Sequence, residues 1–363
     1  MQVGIIGLPQ SGKTTIFQAL TGGRGERPTF AAGGLQVQTA IVNVPDPRLE
    51  ALSRLFQPKR TVHAQIQYSD IGGLERGLGR AGGLSGPLLN QLAQNDALAV
   101  VVRAFPSDVV PHPEGSVDPA RDLAIIQDEL MLSDMAVMEK RLQRLRERAG
   151  KGGSLAEREA NAREMAVLER LWTALEAGRP LRDEPLSSDE ERLLRGYGFL
   201  TQKPMLIIVN QGDNPEEDLP LPDLPPSPRL AILSLRGQLE RELAQLPPEE
   251  AVEFLSEFGL SEPGLSRVVR ASYEILGLIS FFTMNEDEVR AWPLRRGKTA
   301  LDAAATIHTD LARGFIRAEV IDYARLLEAG SMAEARRRGW LRLEGKEYEV
   351  QDGEVLYIRF HVT

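Results

Sequence analysis

The chain has 363 residues, of which 42% are hydrophobic, with no cysteine, four histidines and a formal net charge of −9. That length and apolar content bury a large core and accommodate two or three domains. The missing cysteines exclude disulfides, thiolate metal sites and a cysteine nucleophile, and the negative charge excludes a surface that attracts phosphodiester backbones everywhere, leaving only a local basic face for nucleic acid.

In chain order, short apolar runs at residues 2–6, 64–69, 97–105, 204–209 and 229–233 predict strands of a largely parallel α/β sheet. Between the third and fourth runs, Leu123, Ile126, Leu130, Val137, Leu142 and Leu145 recur at helical spacing among charges and predict a long amphipathic helix. Gly150, Lys151, Gly152, Gly153 and Ser154 break that pattern, and Leu155, Met165, Leu168, Trp172 and Leu175 begin a second one. Together they predict an antiparallel helical hairpin inserted into the sheet domain. Ser188 with Glu191 offers a capping box for the next helix. A loop rich in proline and acid covers residues 214–228, and helical patterns follow from Leu239 to about Leu278. From Phe281 the texture becomes β-rich around one helix, with strands expected at 289–293, 341–343, 348–350 and 355–360, which predicts a separate small α+β domain. No signal peptide is recognisable and no apolar run reaches membrane-spanning length, so a cytoplasmic protein is expected.

The strongest chemical signal is Gly7-Leu8-Pro9-Gln10-Ser11-Gly12-Lys13-Thr14, which follows a strand and opens a helix-like run, the two flanking contexts that the Walker A pattern requires. Glycines there let backbone N–H groups converge on phosphate oxygens at a helix N-terminus, Lys13 pairs with the β- and γ-phosphates, and the Thr14 hydroxyl ligates Mg²⁺. Asp70-Ile71-Gly72-Gly73 closes the second apolar run: Asp70 is placed to hold Mg²⁺ through water and the Gly73 N–H to sense the γ-phosphate. Leu74 follows where a water-orienting glutamine is usual in Ras-type proteins, and a leucine cannot polarise water. Asn210-Gln211-Gly212-Asp213 ends the fourth run, the position from which this class of sheet reads a base, and Ser234 closes the fifth. Asp213 can accept from guanine N–H groups, which keeps GTP open beside ATP. His112 lies in a proline-containing loop after the third run and is the candidate to compensate for Leu74 by positioning water.

The phosphate loop, the segment Asp70 to Leu74 and Val44-Pro45-Asp46-Pro47-Arg48-Leu49 together resemble the YchF, or Obg-like ATPase, family. So do Glu288-Val289-Arg290-Ala291-Trp292, Ile307-His308-Thr309-Asp310, the stretch from Arg313 to Val320, and Leu343-Glu344-Gly345-Lys346-Glu347-Tyr348 with Gln351-Asp352-Gly353. The resemblance covers essentially the whole chain. It implies a P-loop G domain at 1–121 and 187–278, an inserted coiled coil at 122–186, and a β-grasp-like TGS domain at 279–363. It also implies slow hydrolysis of ATP in preference to GTP and association with ribosomes or ribosomal RNA through the TGS domain and hairpin, with no membrane and no DNA sequence recognition.

Carried over by residue, the family's phosphate contacts fall on Pro9, Gln10, Ser11, Gly12, Lys13, Thr14 and Thr15, to which the loop pattern itself adds Gly7. Its magnesium hydroxyl falls on Thr14, its switch II aspartate on Asp70, its base-reading segment on Asn210 to Asp213, with Gln211 inside it, and its catalytic loop histidine on His112. The residues themselves add Asp70 to the metal ligands, Lys13 and Gly73 to the catalytic groups and Ser234 to the base contacts. Three departures stand out. Gln10 and Ser11 replace asparagine and valine in the phosphate loop. Ala32-Gly33-Gly34-Leu35 stands where the family places its switch I threonine, leaving Thr29 or Thr39 as substitutes. Asp213 replaces a glutamate. The missing threonine keeps a second reading open, a nucleotide-binding adaptor that barely hydrolyses. Arg290, Arg295, Arg296, Lys298, Arg313 and Arg317 form either an RNA-facing patch or a solvated face.

Overall fold

The run Gln2–Ile6 forms strand β1, all but its first residue buried. In the computed structural model, the residues described are all those outside 24–28, 31–35, 73–83, 150–153, 215, 217, 258–259 and 362–363. The chain forms two compact units, Met1–Ile41 with Gln67–Val268, and Val42–Ile66 with Val269–Thr363.

The first unit continues through α1 (Lys13–Thr21), β2 (Thr29–Phe30) and β3 (Gln36–Asn43), whose last two residues belong to the second unit. The second unit then receives α2 (Pro47–Phe56) and β4 (Arg60–Val62), and β5 (Gln65–Ile71) returns the chain to the first. There follow α3 (Gly86–Ala93), β6 (Ala97–Ala104), α4 (Pro119–Ala149), α5 (Leu155–Glu176), α6 (Ser188–Leu194), β7 (Met205–Gln211), β8 (Leu230–Leu235), α7 (Gly237–Leu243), α8 (Pro248–Glu257) and α9 (Gly264–Ile275). Among the described residues, the first unit's sheet has seven strands in the order β2-β3-β5-β1-β6-β7-β8. β1 pairs in parallel with β5 and β6, β6 with β7, and β7 with β8. Parallel strands joined by helical crossovers are covered on both faces, which is why β6 and β7 are buried at every position and read as apolar runs, interrupted only by Arg103 near the end of β6 and by Asn210 and Gln211 at the end of β7.

Two functions share helix α4. Its early turns set Leu123, Ile126 and Leu130 against Val100, Val102 and Ile207 of the sheet. Its later turns place Met138, Leu142 and Leu145 against Leu168, Leu171 and Leu175 of α5, forming the hairpin core. Fully burying a leucine contributes about 1.5–3 kcal/mol, so the hairpin has a core of its own. Ser154 starts α5 with a complete capping box to Glu157. The box of α6 is formed by Ser187 and Glu190, one residue before the expected Ser188 and Glu191, because Ser187 adopts the extended backbone (φ −73°, ψ 160°) that aims a hydroxyl at the third helical N–H.

In the second unit, β9 (Leu278–Met284), β10 (Glu288–Arg295), α10 (Ala300–Ile307), α11 (Thr309–Arg313), β11 (Phe315–Asp322), α12 (Tyr323–Ala329), α13 (Met332–Arg337), β12 (Arg342–Glu344) and β13 (Glu354–Phe360) complete the chain. The sheet order is β12-β11-β13-β9-β10-β4, over a core that includes Ile279, Phe281, Val320 and Leu356. The single helix expected here is instead four short ones, each with its own polar N-cap at Thr299, His308, Asp322 and Ser331. The strand expected at 348–350 is absent: Glu349 makes one isolated bridge to Thr299, and a turn intervenes. Val350 is buried in the core, so its alternating pattern reports packing rather than a ladder.

Candidate nucleotide-binding site

β1 delivers the chain into Gly7–Thr14 at the carboxyl edge of the parallel strands, where open α/β sheets bind ligands. The loop is tight. A Cβ on Gly7 would stand 2.4 Å from the Val101 carbonyl, and Gly12 adopts φ +92° with its missing Cβ 2.2 Å from Asn210 Nδ2. Helix α1 then begins with no side-chain cap and no acidic residue in its first turn, so its initial N–H groups are left for an anion. The half-buried Lys13 ammonium is held below its ordinary pKa by desolvation, with Asp70 opposing that shift. A cation stripped of water beside one carboxylate is a receptive partner for a polyphosphate. Ser11 Oγ is buried without a partner in the same loop.

Thr14 Oγ1 donates to Asp70 Oδ2 at 2.8 Å, so the two residues read as magnesium ligands meet in space. Two hard oxygens at a phosphate loop suit Mg²⁺, which keeps several waters and takes few protein ligands. Among the described residues, no cluster of three or more histidines or carboxylates suits a metal. Gly73 and Leu74 lie outside the described residues, as do Ala32 to Leu35. Thr29 lies in β2 and Thr39 in β3.

Asn210, buried at the end of β7, bonds two backbones at once: Nδ2 donates to the Ser11 carbonyl at 3.1 Å and Oδ1 accepts from the Gly237 N–H at 2.9 Å. It braces the phosphate loop against the start of α7. Gln211 turns its carboxamide to Leu219, donating to the carbonyl at 2.7 Å and accepting from the N–H at 3.0 Å, which folds the proline-rich loop back on β7. Asp213 is exposed and Ser234, in β8, is half-buried. His112 is held on both sides: Nε2 lies 2.8 Å from Asp122 Oδ2, and Nδ1 accepts from the Glu114 N–H at 3.1 Å.

A family model named YchF-GTPase_C, described as a protein of unknown function (DUF933), matches residues 278–361. The Ribosome-binding ATPase YchF of Haemophilus ducreyi is 39% identical over 363 residues, covering 99% of both chains, and that of Bacillus subtilis is 37% identical over 369 residues, covering all of both. The YchF GTPase of Schizosaccharomyces pombe superposes with a TM-score of 0.82 at 30% identity, covering 99% of this chain and 97% of that one. The chain belongs to the YchF family.

As a YchF-family protein it has the P-loop NTPase fold with an added C-terminal domain. The fold brings together Gly7, the segment Pro9 to Thr15, Asp70 and Asn210; the side chains of Gln211 and His112 have other partners. Three partners of the candidate residues escaped sequence reading: Gly237, whose N–H completes the Asn210 bracket, Leu219, which engages Gln211, and Asp122, which holds His112. Asp122 gave no warning in the sequence, since a carboxylate in a helix's first turn is ordinary; only the structure shows it nearly fully buried. In the expected basic patch, Arg290 pairs with Glu288, Lys298 with Asp302 and Arg313 with Asp310. Among the described residues, no helix is long and apolar enough to cross a membrane.

Proposed function

We propose that this chain binds and slowly hydrolyses ATP with Mg²⁺ in the cytoplasm, and that its nucleotide state governs association with the ribosome. The observation that carries the reading is the uncapped start of α1 with a desolvated Lys13 beside Thr14 and Asp70. The curated relatives' name, ribosome-binding ATPase, supports the partner and the reaction. The proposed division is a nucleotide domain at 1–121 and 187–278, the hairpin at 122–186 and the TGS domain at 279–363, the last two contacting ribosome or ribosomal RNA.

The chemistry needs little covalent help, because phosphoryl transfer is accelerated chiefly by positioning and charge stabilisation. Gly7, the segment Pro9 to Thr15 and the α1 N-terminus cradle the phosphates, and Lys13 offsets charge on the β- and γ-oxygens. Thr14 and Asp70 would hold Mg²⁺, which supplies Lewis-acid stabilisation of the phosphates. Gly73 senses the γ-phosphate, and His112 positions the attacking water. At the base, Asn210 acts through the loop it braces, with Gln211, Asp213 and Ser234 nearest the purine. Single-turnover hydrolysis with and without ribosomes is the test. Product formation is expected to exceed that of Lys13→Ala, and equal rates would defeat the enzymatic reading.

The engagement of both His112 nitrogens favours a second reading, an adaptor that holds ATP and hydrolyses it negligibly by itself. The exposed Asp213 keeps a guanine-reading GTPase in view. Competition between ATP and GTP for a fluorescent nucleotide decides the base, and an Asp213→Ala loss confined to GTP would establish guanine reading.

A further inference from the structure

The loop between β6 and α4 is anchored at both ends by buried charge. At its start, Arg103 is 1% exposed. Its Nε donates to the Phe105 carbonyl at 3.0 Å and its Nη2 to the Val110 carbonyl at 2.8 Å. Its guanidinium also lies over the Phe105 ring, 4.6 Å from the centroid. At its end, Asp122 in the first turn of α4 divides its oxygens. Oδ2 faces His112 Nε2 at 2.8 Å, and Oδ1 takes Arg121 Nη2 at 2.8 Å. Arg121 reaches back to the Ser116 carbonyl at 2.7 Å and hydroxyl at 2.9 Å, stitching the loop to the helix.

The His112 ring is thereby fully assigned. Because the Glu114 N–H donates to Nδ1, the proton given to Asp122 is on Nε2. The side chain is 4% exposed. Neither nitrogen is left for a water molecule, so the imaginable general base is held idle in this arrangement. A group that is to orient a nucleophile must come within hydrogen-bond reach of it with a nitrogen to spare.

We propose that Asp122 is a latch on His112, a positioning residue that keeps the imidazole out of use until helix α4 moves. The inference rests on His112 being the water-positioning group. Helix α4 runs unbroken from Pro119 to Ala149, with its early turns in the sheet core and its later turns in the hairpin core. A helix transmits displacement along its axis as a stiff element, so a partner gripping the hairpin moves Asp122 relative to the loop that carries His112. The hairpin thus gains a route to the reaction that needs no contact with nucleotide. Basal hydrolysis is then limited by the fraction of molecules with His112 released.

The full-length chain tests this by single-turnover ATP hydrolysis, with and without ribosomes. The proteins compared are the unaltered chain, Asp122→Asn, Asp122→Ala, His112→Ala and the double Asp122→Ala/His112→Ala variant, and a fluorescent ATP analogue gives nucleotide affinity for each. The latch predicts that Asp122→Ala raises the ribosome-free rate constant about tenfold, the released fraction rising accordingly, with nucleotide Kd unchanged within about twofold. Asp122→Asn, which retains an accepting oxygen, gives a smaller rise. The double variant returns to the His112→Ala rate. An unchanged or lower rate in a variant that still binds nucleotide overturns the latch, a decrease marking Asp122 as support for the working imidazole. Should Asp122→Ala lose nucleotide binding through misfolding, Asp122→Asn carries the same comparison. The failure of the underlying reading looks different: His112→Ala would then leave ribosome-stimulated hydrolysis intact.

Discussion

Thr14 and Asp70, 56 residues apart in sequence, meet through a hydroxyl-to-carboxylate hydrogen bond of 2.8 Å. It ties the first turn of α1 to the end of β5, so the two oxygens are held at fixed separation before a cation arrives. Preorganisation of this kind lowers the cost of binding. Thr14→Val preserves shape and removes one oxygen, and Asp70→Asn removes the charge. Each is expected to weaken magnesium-dependent ATP affinity about tenfold, ~1.4 kcal/mol, while affinity in EDTA changes little. Calorimetry with and without magnesium checks this, and an equal loss in both conditions would refute the shared site.

Asn210 is expected to govern both stability and affinity. Asn210→Ala strands the Ser11 carbonyl and the Gly237 N–H in a buried setting, where each unsatisfied group costs about 1–3 kcal/mol. The variant should unfold at lower urea concentration than the parent and bind ATP more weakly, with saturating nucleotide restoring part of the stability. Loss of affinity without loss of stability would point to direct contact with the base instead.

These two brackets mark where the sequence was informative and where it stopped. The phosphate loop was legible because its glycine spacing and its place between a strand and an uncapped helix are local features. Strands β6 and β7 were legible because burial on both faces makes them apolar up to Arg103 and Asn210 near their ends. Gly237, Leu219 and Asp122 were not, since their partners lie 27, 8 and 10 residues away and are chosen by tertiary packing. The short helices after β10 were hidden for another reason. Each is shorter than the window over which helical periodicity can be counted, and their N-caps at Thr299, His308, Asp322 and Ser331 are the better signal. Likewise the placement of 42–66 with the C-terminal residues has no local signature beyond Asp46 and Arg48.

Arg48 is expected to hold that segment in place. Its guanidinium reaches Asp46 at 2.9 Å and Asp352 at 2.8 Å and lies 5.5 Å and 5.9 Å from the ring centroids of Phe282 and Tyr323. The two carboxylates hold it above the ordinary guanidinium range against the effect of burial. Arg48→Ala leaves the nearly buried Asp46 without its cation and should cost about 3 kcal/mol. Arg48→Lys recovers little, because an ammonium cannot bridge both carboxylates in a planar fork. Limited proteolysis should cut within 42–66 faster in both variants, and a parental cleavage rate in Arg48→Ala would show that packing alone suffices.

Asp134 gives the chain an unusual pH dependence. It is 1% exposed and accepts from the Leu200 N–H at 2.8 Å, the Thr201 N–H at 2.8 Å and the Thr201 hydroxyl at 2.7 Å. Burial raises its pKa to about 6 from an ordinary 3.8, outweighing those donors and the nearby Arg182. Between the two values the folded chain keeps a proton that the unfolded chain has released. The resulting stabilisation is full below about 3.8 and is lost as pH rises through about 6. A difference of about two units corresponds to ~3 kcal/mol. Asp134→Asn does not titrate, so the stability of the parent should decline relative to it between pH 4 and 7 and run parallel above that range. Urea denaturation across the interval reads the difference, and parallel curves throughout would mean that Asp134 titrates as an ordinary carboxylate. Through the hydrogen bonds it accepts, Asp134 of α4 holds the turn leading into β7.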